Sequence, residues 1–145
     1  MRTLLAFFFL LQVLTGHSQT TNTIRFKTID IFLDSKDKSL AAYQLEFKSR
    51  TGNAKIVGVE GGEHEAFKEA PYYDAKAMQQ ERVIIAAFST NAEGNLPKGK
   101  TRVATIHVQV IGDKDPDYSV ELEAAADSQG KKISAETSFE QRKEK

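Results

Sequence analysis

Alternation of apolar and polar residues in short runs is the feature that most restricts what this chain can fold into. Ala41, Tyr43, Leu45 and Phe47 alternate with Ala42, Gln44, Glu46 and Lys48. Between Arg102 and Ile111, Ala104, Ile106, Val108 and Val110 fall in one phase and Thr105, His107 and Gln109 in the other. Tyr118, Val120, Leu122 and Ala124 repeat the pattern. Side chains two apart share one face of a sheet, so each run predicts a strand with one dry and one wet face. A slip of one residue would bury Gln44 and Glu46, which fixes the register of that strand.

The remaining runs complete an all-β layout. Ile24 and Phe26 share a phase that Ile29, Ile31 and Leu33 leave, so a bulge or a crossing between sheets is expected near Lys27 and Thr28. Arg50-Thr51-Gly52-Asn53 turns the chain into a strand from Ala54 to Val59, closed by Gly61-Gly62. Val83 to Phe88 is continuously apolar, the mark of a mid-sheet strand covered on both faces. Residues Glu63 to Gln80 break the β pattern, and Asp74 reads as an N-cap for one or two helical turns ending near Gln80. The stretch Ser89 to Lys100 is a surface loop, and Asp127 to Gly130 is a hairpin turn into a last strand, Ile133 to Phe139. Seven to nine short strands with one short helical insertion predict an antiparallel β-sandwich of immunoglobulin-like or jelly-roll type.

Composition narrows the setting. Arg2, the apolar run Leu4 to Leu14 and the small residues Gly16 and Ser18 have the form of a secretory signal peptide, expected to be cleaved between Ser18 and Gln19. That run is too short to span a bilayer, which takes about 20 apolar residues, so no transmembrane anchor is expected. Residues 19–139 then form a single domain and 140–145 a charged, frayed tail. With 20 Lys and Arg against 20 Asp and Glu, the chain has no field that would draw it to nucleic acid. Cysteine is absent, which excludes a disulfide framework, a thiolate metal site and a thiol nucleophile.

Few motifs carry chemistry. Asp113, Asp115 and Asp117 begin like a calcium loop, but Tyr118 and Ala124 stand where glycine and glutamate are required, so a solvated turn is expected. Glu63 and His64 sit beside Gly61-Gly62, where carboxylate and imidazole can act as acid and base or hold an ion. No second His follows at metalloprotease spacing, and the plainer role for both is to satisfy backbone donors of their own loop. Pro71-Tyr72-Tyr73-Asp74 puts two aromatic rings beside a carboxylate in a non-strand segment, where tyrosine can stack on a sugar or anchor an interface. The rings can instead cap an open edge of the core. Ser89, Thr90 and Ser134 lack the glycines of a nucleophile elbow.

The order of these strands resembles the cohesin family, secreted β-sandwich modules related in fold to cellulose-binding modules. The resemblance rests on Thr23 to Leu33, Ala41 to Phe47, Ala54 to Val59, Val83 to Ser89, the Leu96-Pro97-Lys98-Gly99 turn, Val103 to Val108, and Glu121 to Ala124 with Asp127 to Ile133. Members bind calcium-loaded dockerin modules through a sheet face, and relatives of similar fold bind polysaccharide. The resemblance therefore implies a non-catalytic recognition module without a cofactor, whose partner is an extracellular dockerin-like protein or a polysaccharide, in the setting of polysaccharide breakdown. The chain departs from the family in having Lys48-Ser49 where a Tyr-Asp-Pro turn is common, and in the insertion around Glu63 to Gln80. Tyr72, Tyr73, Asp74, Glu63 and His64 are the candidate binding residues. The competing readings are a structural envelope component and a hydrolase built on Glu63 and His64.

Overall fold

The computed structural model describes residues 22–143; the predicted signal peptide and its cleavage site lie outside them. The eight strands are β1 (Ile24–Asp34), β2 (Ala42–Ser49), β3 (Ala54–Gly61), β4 (Tyr72–Tyr73), β5 (Arg82–Phe88), β6 (Lys100–Ile111), β7 (Tyr118–Ala126) and β8 (Glu136–Gln141). They form two antiparallel four-stranded sheets, ordered β3-β6-β1-β8 and β4-β5-β2-β7. The all-β sandwich is as the alternation predicts. Strand β1 pairs with β8, β2 with β7, β3 with β6 and β4 with β5, so the chain runs as one long ribbon wrapped between two layers, the jelly-roll wiring. Among the described residues helix is confined to three single 3₁₀ turns, Glu65–Phe67, Ala75–Ala77 and Glu93–Asn95. No described helix is long and apolar enough to cross a membrane.

The inner faces carry the expected residues. Ile29, Ile31 and Leu33 from β1 and Ile106, Val108 and Val110 from β6 pack against Tyr43, Leu45, Phe47, Val83 and Ile85 of the other sheet, all buried. Register enforces this: Leu45 pairs with Ile85 and Phe47 with Val83, so each cross-strand pair buries two apolar side chains together. The hydroxyl of Tyr43 crosses the core and donates to the carbonyl of Val103 at 3.0 Å. Val103 is the extra residue of a β-bulge: Phe32 pairs with Arg102 and Ile31 with Ala104, leaving Val103 unopposed. Burial pushes the Tyr43 phenol well above its ordinary range, because a phenolate in that dry space would lose its hydration.

Several sequence expectations need correction. The bulge lies opposite Ile31 and Phe32, not at Lys27 and Thr28; Ile24 and Phe26 simply face outward and are exposed. Strand β5 buries only Val83 and Ile85, while Ile84 and Ala86 on its other face remain partly open and Phe88 is exposed. The turn at Asp127 forms, with its carboxylate accepting from the amides of Gln129 and Lys131. The last strand is no hairpin partner of β7, however, because it starts only at Glu136 and crosses to the other sheet.

Thr105, expected on the wet face, is fully buried beneath a charged cluster, and the expected frayed tail supplies part of that cover. Arg142 grips Asp30 with two hydrogen bonds of 2.7 and 2.8 Å, and the Thr105 hydroxyl donates to the same carboxylate at 2.8 Å. Arg102 donates to Thr105 at 2.8 Å and to the Gly61 carbonyl at 3.2 Å. Glu140 and Gln141 lie within β8, and Lys100 pairs with Glu140 at 2.7 Å. Burial acts to raise the Asp30 carboxyl, but hydrogen bonds from Arg142 and Thr105 and the charges of Arg142 and Arg102 outweigh it and hold the group below its ordinary value.

Ile85→Ala removes a side chain with no exposure and should destabilise by about 2–5 kcal/mol, whereas Gln44→Ala on the wet face should cost about 0.5 kcal/mol or less; denaturant titration distinguishes them. Because the folded Asp30 binds its proton less readily than the unfolded one, its stabilisation is present above the unfolded value near 3.8 and lost as pH falls below it. Thermal midpoints of wild type and Asp30→Asn should therefore differ at neutral pH and converge in acid; parallel curves would contradict the assignment.

Candidate binding face

The insertion between β3 and β5 is built from close backbone packing. A Cβ on Gly61 would lie 2.0 Å from the Lys68 carbonyl oxygen, and one on Gly62 would lie 2.2 Å from that of Arg102. Only glycine permits this approach. It brings the Gly62 amide to the Phe67 carbonyl at 2.6 Å and lets Phe67 close the end of the core, its ring edge-on to Tyr43 at 5.3 Å. Pro71 is buried behind the same segment.

Glu63 and His64 hold the loop through backbone amides. The Glu63 carboxylate accepts from the Arg102 amide at 2.9 Å, and His64 Nδ1 accepts from the Ala66 amide at 3.1 Å, capping the first 3₁₀ turn. Asp74 caps the second turn by accepting from the Lys76 amide at 2.9 Å, so the predicted N-cap is correct and the helix stops after Ala77. His107 sits elsewhere, on the outer face of the first sheet, with Nδ1 3.2 Å from the Thr28 hydroxyl and Nε2 3.2 Å from Glu60. Among the described residues no three His, Asp or Glu side chains come together to hold a metal. In the Asp113 to Asp117 turn, Asp115 pairs with Arg25 at 2.8 Å.

Tyr72 and Tyr73 lie in a strand, contrary to the sequence expectation, and alternation separates their rings. Tyr73 pairs with Ile85, whose side chain is buried, so it falls in the inward phase at the sheet edge, where it stays 38% exposed. Tyr72 pairs with Ala86 and stands on the outer face, 70% exposed. Its ring lies nearly parallel to that of Phe88, 63% exposed, with centroids 6.1 Å apart and 9° between planes. Of the five candidate residues, Tyr72 alone reaches this face.

Beside the two rings is a shallow hollow of about 290 Å³. Its floor is set by register: Ala42 pairs with Phe88 and Ala126, and Gln44 with Ala86 and Ala124, so small side chains from three strands meet on the outward phase. The rim is polar and acidic. Gln44 donates to Glu123, Arg82 binds Glu46, and Glu46 stands directly opposite Glu121. Chemically the face offers an apolar recess, two aromatic walls and carboxylates at one side.

Compared with protein-family models, curated proteins and solved structures, the chain matches none. The role of the face is therefore read from its geometry. Sequence reasoning missed Phe88, absorbed into an apolar run, and the alanines, which have no chemistry of their own. No single strand signals that floor: Ala86 lies inside the apolar run Val83 to Phe88, and the alanines meet only through the pairing of β2 with β5 and β7.

Because Tyr72 and Phe88 contribute little buried area, alanine at either should leave stability within about 1 kcal/mol of wild type. Gly62→Ala forces a backbone shift and should cost at least about 1–3 kcal/mol. Thermal melts of the three variants test how the face is supported.

Proposed function

We propose that this chain is a non-catalytic recognition module of cohesin-like kind that binds an extracellular, dockerin-like protein through the outer face of the β4-β5-β2-β7 sheet. The observation that carries this reading is the pair of exposed, near-parallel rings of Tyr72 and Phe88 bordering an alanine-floored recess. Soluble monomers rarely leave two large aromatic rings in water beside an apolar recess unless something covers them. The recess is lined almost wholly by apolar groups, and such a pocket suits an inserted aliphatic side chain, as interface anchors require. The leader-like segment at the N-terminus supports an extracellular setting, and the strand order supports the family reading. The Glu63 and His64 pair, engaged with backbone amides, gives no support to an acid–base centre.

Capture from the extracellular fraction of the producing organism tests the proposal. The Tyr72→Ala, Phe88→Ala double variant should bind the captured protein about 2 kcal/mol more weakly while keeping its thermal midpoint. Undiminished capture would overturn the assignment of this face. Retention on an insoluble polysaccharide, lost in the same variant and without a captured protein, would replace the protein partner by a polysaccharide.

A further inference from the structure

The Tyr72 and Phe88 rings form a ridge, and the side away from the alanines has different chemistry. There the segment Glu65 to Pro71 and the segment Ser89 to Asn91 enclose a second hollow of about 360 Å³, sharing the two rings as one wall. It continues past Asn91 to Asn95 and His64 as a further open hollow of about 510 Å³. Its groups are hydroxyls, amides and carboxylates. Among the described residues Glu69 and Thr90 make no side-chain hydrogen bond, and the Ser89 hydroxyl accepts from the Asn91 amide at 3.2 Å, leaving its proton to donate. Asn91 engages only its amide nitrogen, reaching the Asn95 carbonyl at 3.4 Å, so its own carbonyl is open.

We infer that this trough is a binding site for a neutral oligosaccharide. A sugar ring has an apolar C–H face, which an exposed aromatic wall can stack, and a girdle of hydroxyls that both donate and accept. The trough presents those complements together: the ring of Phe88 or Tyr72 on one side, and Glu69, Thr90 and Asn91 on the other. Charge selects the class. Glu65 and Lys68 pair at 3.0 Å and offset each other, so the carboxylate of Glu69 leaves the trough negative and uronate or sulfated sugars would be repelled. The trough and its continuation favour several linked residues over a monosaccharide. The inference does not require a protein in the alanine-floored recess, since the polar groups it uses lie outside that recess.

Titration of the isotopically labelled domain with cellohexaose, xylohexaose, mannohexaose, N-acetylchitohexaose and an oligogalacturonate, followed by amide chemical shifts, tests it. At least one neutral hexaose should shift the Thr90 and Asn91 amides. Glu69→Ala and Asn91→Ala should each weaken that binding about tenfold, the loss of one useful hydrogen bond, with thermal midpoints unchanged, while Gln109→Ala on the opposite face should bind as wild type. Silence of these amides toward every neutral hexaose at millimolar concentration would overturn the inference. So would preference for the oligogalacturonate, or binding indifferent to both trough variants.

Discussion

The contact between Tyr43 and Val103 joins the two sheets at the point on which the rest of the molecule depends. An unopposed bulge residue leaves a carbonyl without a ladder partner, and in a dry core that group must find a donor or cost about 1–3 kcal/mol. Tyr43 supplies it from the facing sheet at 3.0 Å, while its ring meets Phe67 and so closes one end of the core. The same side chain lines the alanine-floored recess from behind. Core packing, loop placement and the candidate binding face are thus linked through one residue.

The two outer faces illustrate different uses of a wet sheet surface. On the first sheet, Asp30, Thr105, Arg102 and Arg142 satisfy one another, and the cluster ties the C-terminal strand to β1 and β6. With no disulfide available, such a network and the backbone ladder hold an edge strand whose side chains are largely exposed. On the second sheet the outward positions around the recess are, apart from Gln44, small or aromatic, and Tyr72 and Phe88 stand exposed there. Paired charges cover the first surface around Asp30, while Ile24 and Phe26 stand exposed farther along β1; on the second, exposed apolar groups gather around a recess.

Period-two alternation made most of this fold readable, because a sandwich needs one buried face per strand. Strands β2 and β6, β7 as far as Leu122, and the inward set Tyr43, Leu45 and Phe47 were legible in that way, whereas a bulge at Glu123 turns Ala124 outward against the expected phase and buries Ala125 instead. Thr105 was not, since its burial depends on Arg142, thirty-seven residues away, folding over it. The strand at Tyr72 and Tyr73 was hidden because two residues are too few to show a period. Of the candidate site, Tyr72 was visible as an aromatic outside the regular runs, whereas its partner Phe88 and the alanine floor emerge only once three strands are in register.

The absence of cysteine makes it possible to ask directly whether the outer face of the β4-β5-β2-β7 sheet is the surface that meets a partner. Single substitutions Gln44→Cys on that face and Gln109→Cys on the opposite face can each carry a polarity-sensitive fluorophore without competing sites. On titration with extracellular fractions of the producing organism, the probe at position 44 should shift its emission saturably while the probe at 109 stays unchanged. Saturable change at 109 with none at 44 would place the partner on the other sheet and contradict this assignment.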